Sequence, residues 1–137
     1  MISVPTARAL ATSGVAWEPA SGDRFVITDR GMDDDVFVLS EMVVEAQDHA
    51  TGRVLGFNGT TEWALDSVAA EQAVWLPREG QLREMLGEAF AGLAPEDGAF
   101  VVRTRDADGE RSSCADDVEE AYALAVLAVR ARAARGA

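Results

Sequence analysis

The chain has 137 residues, 48% of them hydrophobic, which is enough to bury a core in one domain spanning 1–137 and disfavours disorder. Its 24 acidic residues outnumber 12 basic ones, all arginine, and the formal net charge of -12 repels phosphate backbones, so no nucleic-acid partner is expected and a basic protein is favoured. No stretch has the ~20 apolar residues of a membrane span, the first residues lack a secretory-signal pattern, and the single cysteine, Cys114, allows no internal disulfide; a cytoplasmic protein with no membrane partner is expected.

Pro5 opens a short helix through the helix formers at 7–11, and Gly14 stops it. Residues 18–23 have loop chemistry, Arg24-Phe25-Val26-Ile27 reads as a strand, and a loop follows to Asp35. Over 36–46 β-branched residues are frequent, and Glu41 and Glu45 alternate with Met42, Val44 and Ala46, the pattern of a strand with one wetter face. Turn residues at 48–52 separate it from an extended stretch at 53–57. Asn58-Gly59 then supplies a strong hairpin signal, because both positions tolerate the positive φ of a type I′ turn. The returning strand covers 60–65, with Thr61, Trp63 and Leu65 on one face and a helical turn over 67–72. A rival reading makes Thr60 the N-cap of a helix reaching Ala73.

Pro77 interrupts an apolar run. Proline disfavours helical backbone in the residue before it, while its own φ suits the first helical position, so Val74-Trp75-Leu76 is extended and a helix begins at Pro77 or Arg78. Leu82, Met85, Leu86, Ala89, Phe90 and Leu93 line one face of that helix. Residues 95–98 form a turn, 100–105 a strand, and Asp106-Ala107-Asp108-Gly109 a second turn leading to a strand over 110–114. Asp116 caps the last helix, with Glu119 placed for a capping box. The helix is apolar all round over 121–129, which implies burial, and Arg130, Arg132 and Arg135 suit the negative end of its dipole. The expected class is α+β: an antiparallel sheet of about five or six strands with two main helices packed on one face.

Candidate chemistry is sparse. Asp33-Asp34-Asp35 offers oxygen ligands to a hard cation, but without ligand spacing, and a solvated loop explains it. The turn from Asp106 resembles part of a calcium loop whose pattern fails at Thr104 and Ala115. His49, the only histidine, falls in a turn with no nucleophile or acid beside it, and Cys114 reads as a small core residue. No metal, cofactor or catalytic set is expected. Trp17, Trp63 and Trp75 suit the core for the most part; if one is exposed it is Trp63 or Trp75, which with Asn58, Arg78 and Gln81 would form a partner-contact patch. The favoured reading is a non-enzymatic interaction protein, an adaptor or regulator. The alternative is a small-ligand-binding protein or enzyme with a site assembled from Glu41, Glu45, His49 and the Asp33 cluster. The greasy last helix also suggests a homodimer through that helix or an edge strand.

The stretches "SGVAWEPASGDRFVI", "VFVLSEMVVE", "GFNGTTEWALDS" and "WLPREGQLREML" together resemble a family of small actinobacterial proteins that commonly carry the label pilus assembly protein CpaE, over roughly Leu10 to Val129. "WLPREGQL" followed by "ADDVEEAYALAVLAV" is also similar to small phage and bacterial proteins of unknown function. The MinD and ParA type of ATPase that the CpaE label implies needs a phosphate-binding loop with a lysine, which no position here matches, and neither resemblance carries over a functional residue.

Overall fold

Turn chemistry and apolar patterning divide the chain into the elements α1 (Val4–Thr12), β1 (Arg24–Ile27), β2 (Val36–Val38), β3 (Ala46–His49), β4 (Gly52–Gly56), β5 (Ser67–Ala69), β6 (Ala73–Leu76), α2 (Glu79–Leu86), β7 (Phe90–Glu96), β8 (Ala99–Asp106), β9 (Gly109–Ala115) and α3 (Val118–Arg135). The structure, a computed structural model, describes residues 1–27, 36–39, 46–49, 52–56, 67–69 and 73–135. The class is α+β. Among the described residues the strands form three antiparallel sheets of three, ordered β2-β1-β6, β3-β4-β5 and β7-β8-β9, where one sheet of five or six strands was expected. Short hairpins close β3 on β4 and β7 on β8 on β9, so these strands are satisfied by sequence neighbours. By its contacts the chain gathers into two compact units, Met1–Ala16 with Pro77–Ala137, and Trp17–Leu76.

In the first unit, α3 lies on β8 and β9, and α1 and α2 pack against α3. Ser3 caps α1, its hydroxyl accepting the Thr6 backbone N–H at 3.2 Å, and Gly14 ends the turn with φ +102°. Arg78 stands at the N-cap of α2, and its backbone N–H donates to Gln81 Oε1 at 2.9 Å. The predicted helical face through Phe90 and Leu93 is corrected here. Gly87 takes φ +55°, one turn of 3-10 helix follows over Gly87–Ala89, and Phe90 already belongs to β7. Helical spacing persisted in the sequence beyond a glycine whose backbone leaves the helix. The turn expected at 95–98 contracts to Asp97-Gly98, whose φ values of +51° and +81° fit the type I′ geometry, and Pro95 and Glu96 pair within the ladder. The cap of α3 shifts by one residue from Asp116: the Asp117 carboxylate accepts the Glu120 backbone N–H at 3.0 Å, because β9 runs on through Ala115.

Burial of α3 follows from its neighbours. Ala121, Tyr122, Ala123, Ala125 and Val126 are buried between the sheet on one side and α1 and α2 on others. A single chain thus covers most of the apolar surface from which a dimer was inferred.

In the second unit, β1 pairs with β2 and β6 so that Phe25 stands between Phe37 and Trp75 on one face. Phe25, Ile27 and Leu39 form the core there, with Trp17, Phe37 and Ala73 packed against them. In the next sheet Asp48 pairs with Arg53 and His49 with Gly52, so Asp48, His49 and Gly52, expected in a turn over 48–52, are strand residues. Of the helical turn expected over 67–72, Ser67–Ala69 is instead strand β5 paired with β4, a case of ladder pairing overriding weak local preference, and 70–72 lie outside the described residues. The Asn58-Gly59 turn and the strand expected over 60–65 lie outside the described residues.

Candidate functional site

Of the predicted contact patch, Asn58 and Trp63 lie outside the described residues, as do Glu41, Glu45 and Asp33-Asp34-Asp35 of the alternative site. The remaining members each do local work. Trp75 in β6 stacks on Trp17 with ring centroids 6.3 Å apart and planes 9° from parallel, and its indole Nε1 is buried without a hydrogen-bond partner among the described residues. Trp17 also leans on Phe25 at 5.6 Å. Large flat rings were expected in the core for the area they bury; Trp17, half-buried, packs against it, and Trp75, also half-buried, stacks on Trp17. Gln81 and Arg78 close the first turn of α2 on itself, which uses the Gln81 amide oxygen for capping.

Sequence reasoning passed over Asp23. Its side chain is buried, at 1% exposure, and Oδ2 accepts the Trp17 indole N–H at 2.8 Å and the Ala20 backbone N–H at 3.0 Å. Its backbone carbonyl takes the Leu39 N–H at 2.9 Å. An aspartate closing the loop stretch 18–23 was the available signal, since such a side chain readily binds a backbone N–H of its own turn. The carboxylate therefore pins the loop and orients Trp17.

A second cluster gathers at the start of α3, where Asp117, Glu119 and Glu120 serve three helices. Asp117 caps its own helix and holds the Met1 ammonium at 2.8 Å; Glu119 accepts the Glu79 backbone N–H of α2 at 2.8 Å. Glu120 accepts the Ser3 backbone N–H at 2.9 Å and the Thr6 hydroxyl at the start of α1. Carboxylates at helix N-termini meet unsatisfied N–H donors and the positive end of the dipole. Burial works against the Asp117 charge, yet hydrogen bonds from the Met1 ammonium and the Glu120 backbone prevail and hold its carboxyl below the usual range. The Met1 ammonium, although partly desolvated, is raised by hydrogen bonds to the Asp117 and Glu119 carboxylates.

The third cluster covers the face of β7-β8-β9 opposite α3. Arg103 Nη2 meets Glu96 at 2.9 Å and Arg105 Nη2 meets Glu110 at 3.0 Å, an alternating cross-strand row. These pairs are largely exposed, and each contributes little to stability. Cys114, expected in the core, is exposed on this side: it pairs with Val101, whereas Ser113 and Ala115 alternate onto the face toward α3. Asp106 near the rim is held below the usual carboxylate range, first by the Asp108 backbone N–H and then by Arg132, whose Nε lies 2.8 Å away.

Among the described residues no three His, Cys, Asp or Glu side chains gather to hold a metal ion, and no helix is long and apolar enough to cross a membrane. These three carboxylate groups act as caps, turn anchors and ion-pair partners. No protein-family model, curated protein or solved structure matches the chain.

Proposed function

We propose that this chain is a small acidic, non-enzymatic interaction protein, an adaptor or regulator whose partner is positively charged. The observation that supports the reading is how charge divides between the two units. Residues 17–76 hold 12 of the 24 acidic side chains but only 3 of the 12 arginines. In the other unit acids and arginines are close to balanced, and Asp106, Glu96 and Glu110 already sit against arginines. A surplus of one sign accelerates encounter with the opposite sign and suppresses like-charged partners, nucleic acid among them. On this reading the protein works in the cytoplasm, where the exposed thiol of Cys114 stays reduced.

Affinity capture from the native cell, with elution in rising salt and mass spectrometry of the eluate, tests it. A basic protein released as ionic strength rises is the expected result. Turnover of a small molecule by the purified chain, or capture of a partner indifferent to salt, would refute it.

A further inference from the structure

Among the described residues, strand β2 is an edge. In the sheet β2-β1-β6 it pairs with β1 alone, and no strand among the described residues pairs with its other side. The direction of its backbone groups follows from one hydrogen bond: Leu39 N–H donates to the Asp23 carbonyl across the sheet, at 2.9 Å. In an antiparallel ladder such inward positions alternate, so Phe37, opposite Phe25, also turns its N–H and C=O toward β1, and Val36 and Val38 turn theirs outward. The side chains of these two valines are exposed as well, at 39% and 60%, while Phe37 between them stacks on Phe25 at 5.6 Å and anchors the strand.

Edges of this kind are normally blunted by shortness, proline, a bulge or charged side chains. The other unit follows that practice. Edge strand β7 contains Pro95 and a register shift between Phe90 and Gly92, and edge strand β9 carries Glu110 and Arg111. Val36-Phe37-Val38 is short, at three residues, but it contains no proline, no charged side chain and no register shift against β1.

We infer that β2 is a strand-addition site, where an extended segment of a partner rich in alternating basic and β-branched residues pairs with the outward backbone groups of Val36 and Val38. The inference rests on the proposed reading of a positively charged partner and names where and how it docks. Main-chain hydrogen bonds would supply affinity, and contact with the two exposed valines would select apolar side chains at alternate positions. The choice of occupant comes from charge. The unit that carries β2 has 12 acids against 3 arginines, so a second copy would bring the same negative field to the edge, and a cationic strand is drawn to it.

The test is a fluorescence-anisotropy titration of the full-length protein with a labelled short peptide alternating valine and arginine, beside a matched peptide alternating valine and glutamate. Saturable binding of the cationic peptide alone, weakened by salt, is expected. Val38→Pro removes an outward N–H, and Val38→Lys keeps the backbone while opposing a cationic strand; each should weaken binding roughly tenfold or more. Near-UV circular dichroism identifies any variant that fails to fold, and the lysine variant then decides. Undiminished binding to both folded variants would overturn the β2 site and leave the charge reading standing. Failure of the wild type to bind the cationic peptide would overturn both, equal binding of the anionic peptide would overturn the charge selection, and a concentration-dependent dimer lost in Val38→Lys would assign the edge to a second copy instead.

Discussion

Helix α1 runs alongside α3 with each end held by a charge of the sign its dipole prefers, and replacing Arg130 by alanine should loosen one end only. Arg130 donates from Nη2 and Nε to the Ser13 carbonyl, at 2.9 and 3.2 Å, and from Nε to the Ser13 hydroxyl at 3.1 Å. Ser13 is the C-cap of α1, so the guanidinium sits at the negative pole while Glu120 holds the positive one. These contacts are exposed, so solvent screening discounts them, and their loss should cost about 1 kcal/mol. Docking of α1 survives the change, because Ile2, Ala7 and Leu10 remain buried and a fully buried Leu or Ile contributes about 1.5–3 kcal/mol. Hydrogen exchange reads the result residue by residue: amides of the last turn of α1 should exchange about fivefold faster, with β8 unchanged. Equal acceleration throughout the unit, or none in α1, would refute the reasoning.

Gly14→Ala should loosen the same end by another route, since φ is +102° and an added Cβ would lie 2.9 Å from Arg130 Nη2; a loss of about 1–3 kcal/mol in urea unfolding is expected. Asp117→Asn retains a capping oxygen but removes the charge. The folded carboxyl of Asp117 titrates below its ordinary value, so its stabilisation is present above the unfolded carboxylate pKa of about 3.9 and is lost as pH falls through the lower folded value. The stability gap between wild type and this variant should therefore be constant at neutral pH and close only below about pH 4, as followed by urea unfolding across a pH series. Leu82→Ala should cost about 2–5 kcal/mol by thermal or denaturant unfolding, because Leu82 is 0% exposed. Cys114→Ser should change stability by less than about 0.5 kcal/mol, and the native thiol should react with a thiol reagent without denaturant.

Local rules carried much of the second half of the chain. Pro77 separates extended Trp75 from the helix that begins at Glu79, because a proline constrains the residue before it and its own φ at once. Asp97-Gly98 and the turn after Asp106 each close a hairpin for reasons contained in a few residues. Of the candidate contact patch, local rules did not foresee that the Gln81 side chain turns back to accept the Arg78 backbone N–H at the start of α2.

Sequence alone determined the α+β class, the break between strand and helix at Pro77, the short strand Arg24–Ile27 and the acidic field, since each depends on dihedral preference, short-range pattern or composition, although α2 starts at Glu79 rather than at Pro77 or Arg78. Tertiary structure decided where α2 stops, that Cys114 is exposed, that Ser67–Ala69 is a strand, and that Asp23, Glu119 and Glu120 bind groups distant from themselves or buried beside a tryptophan. The physical reason is range. A turn or a proline acts within a few residues, whereas covering one face of a sheet or satisfying a helix N-terminus with a carboxylate from another helix depends on chain segments that meet only after folding.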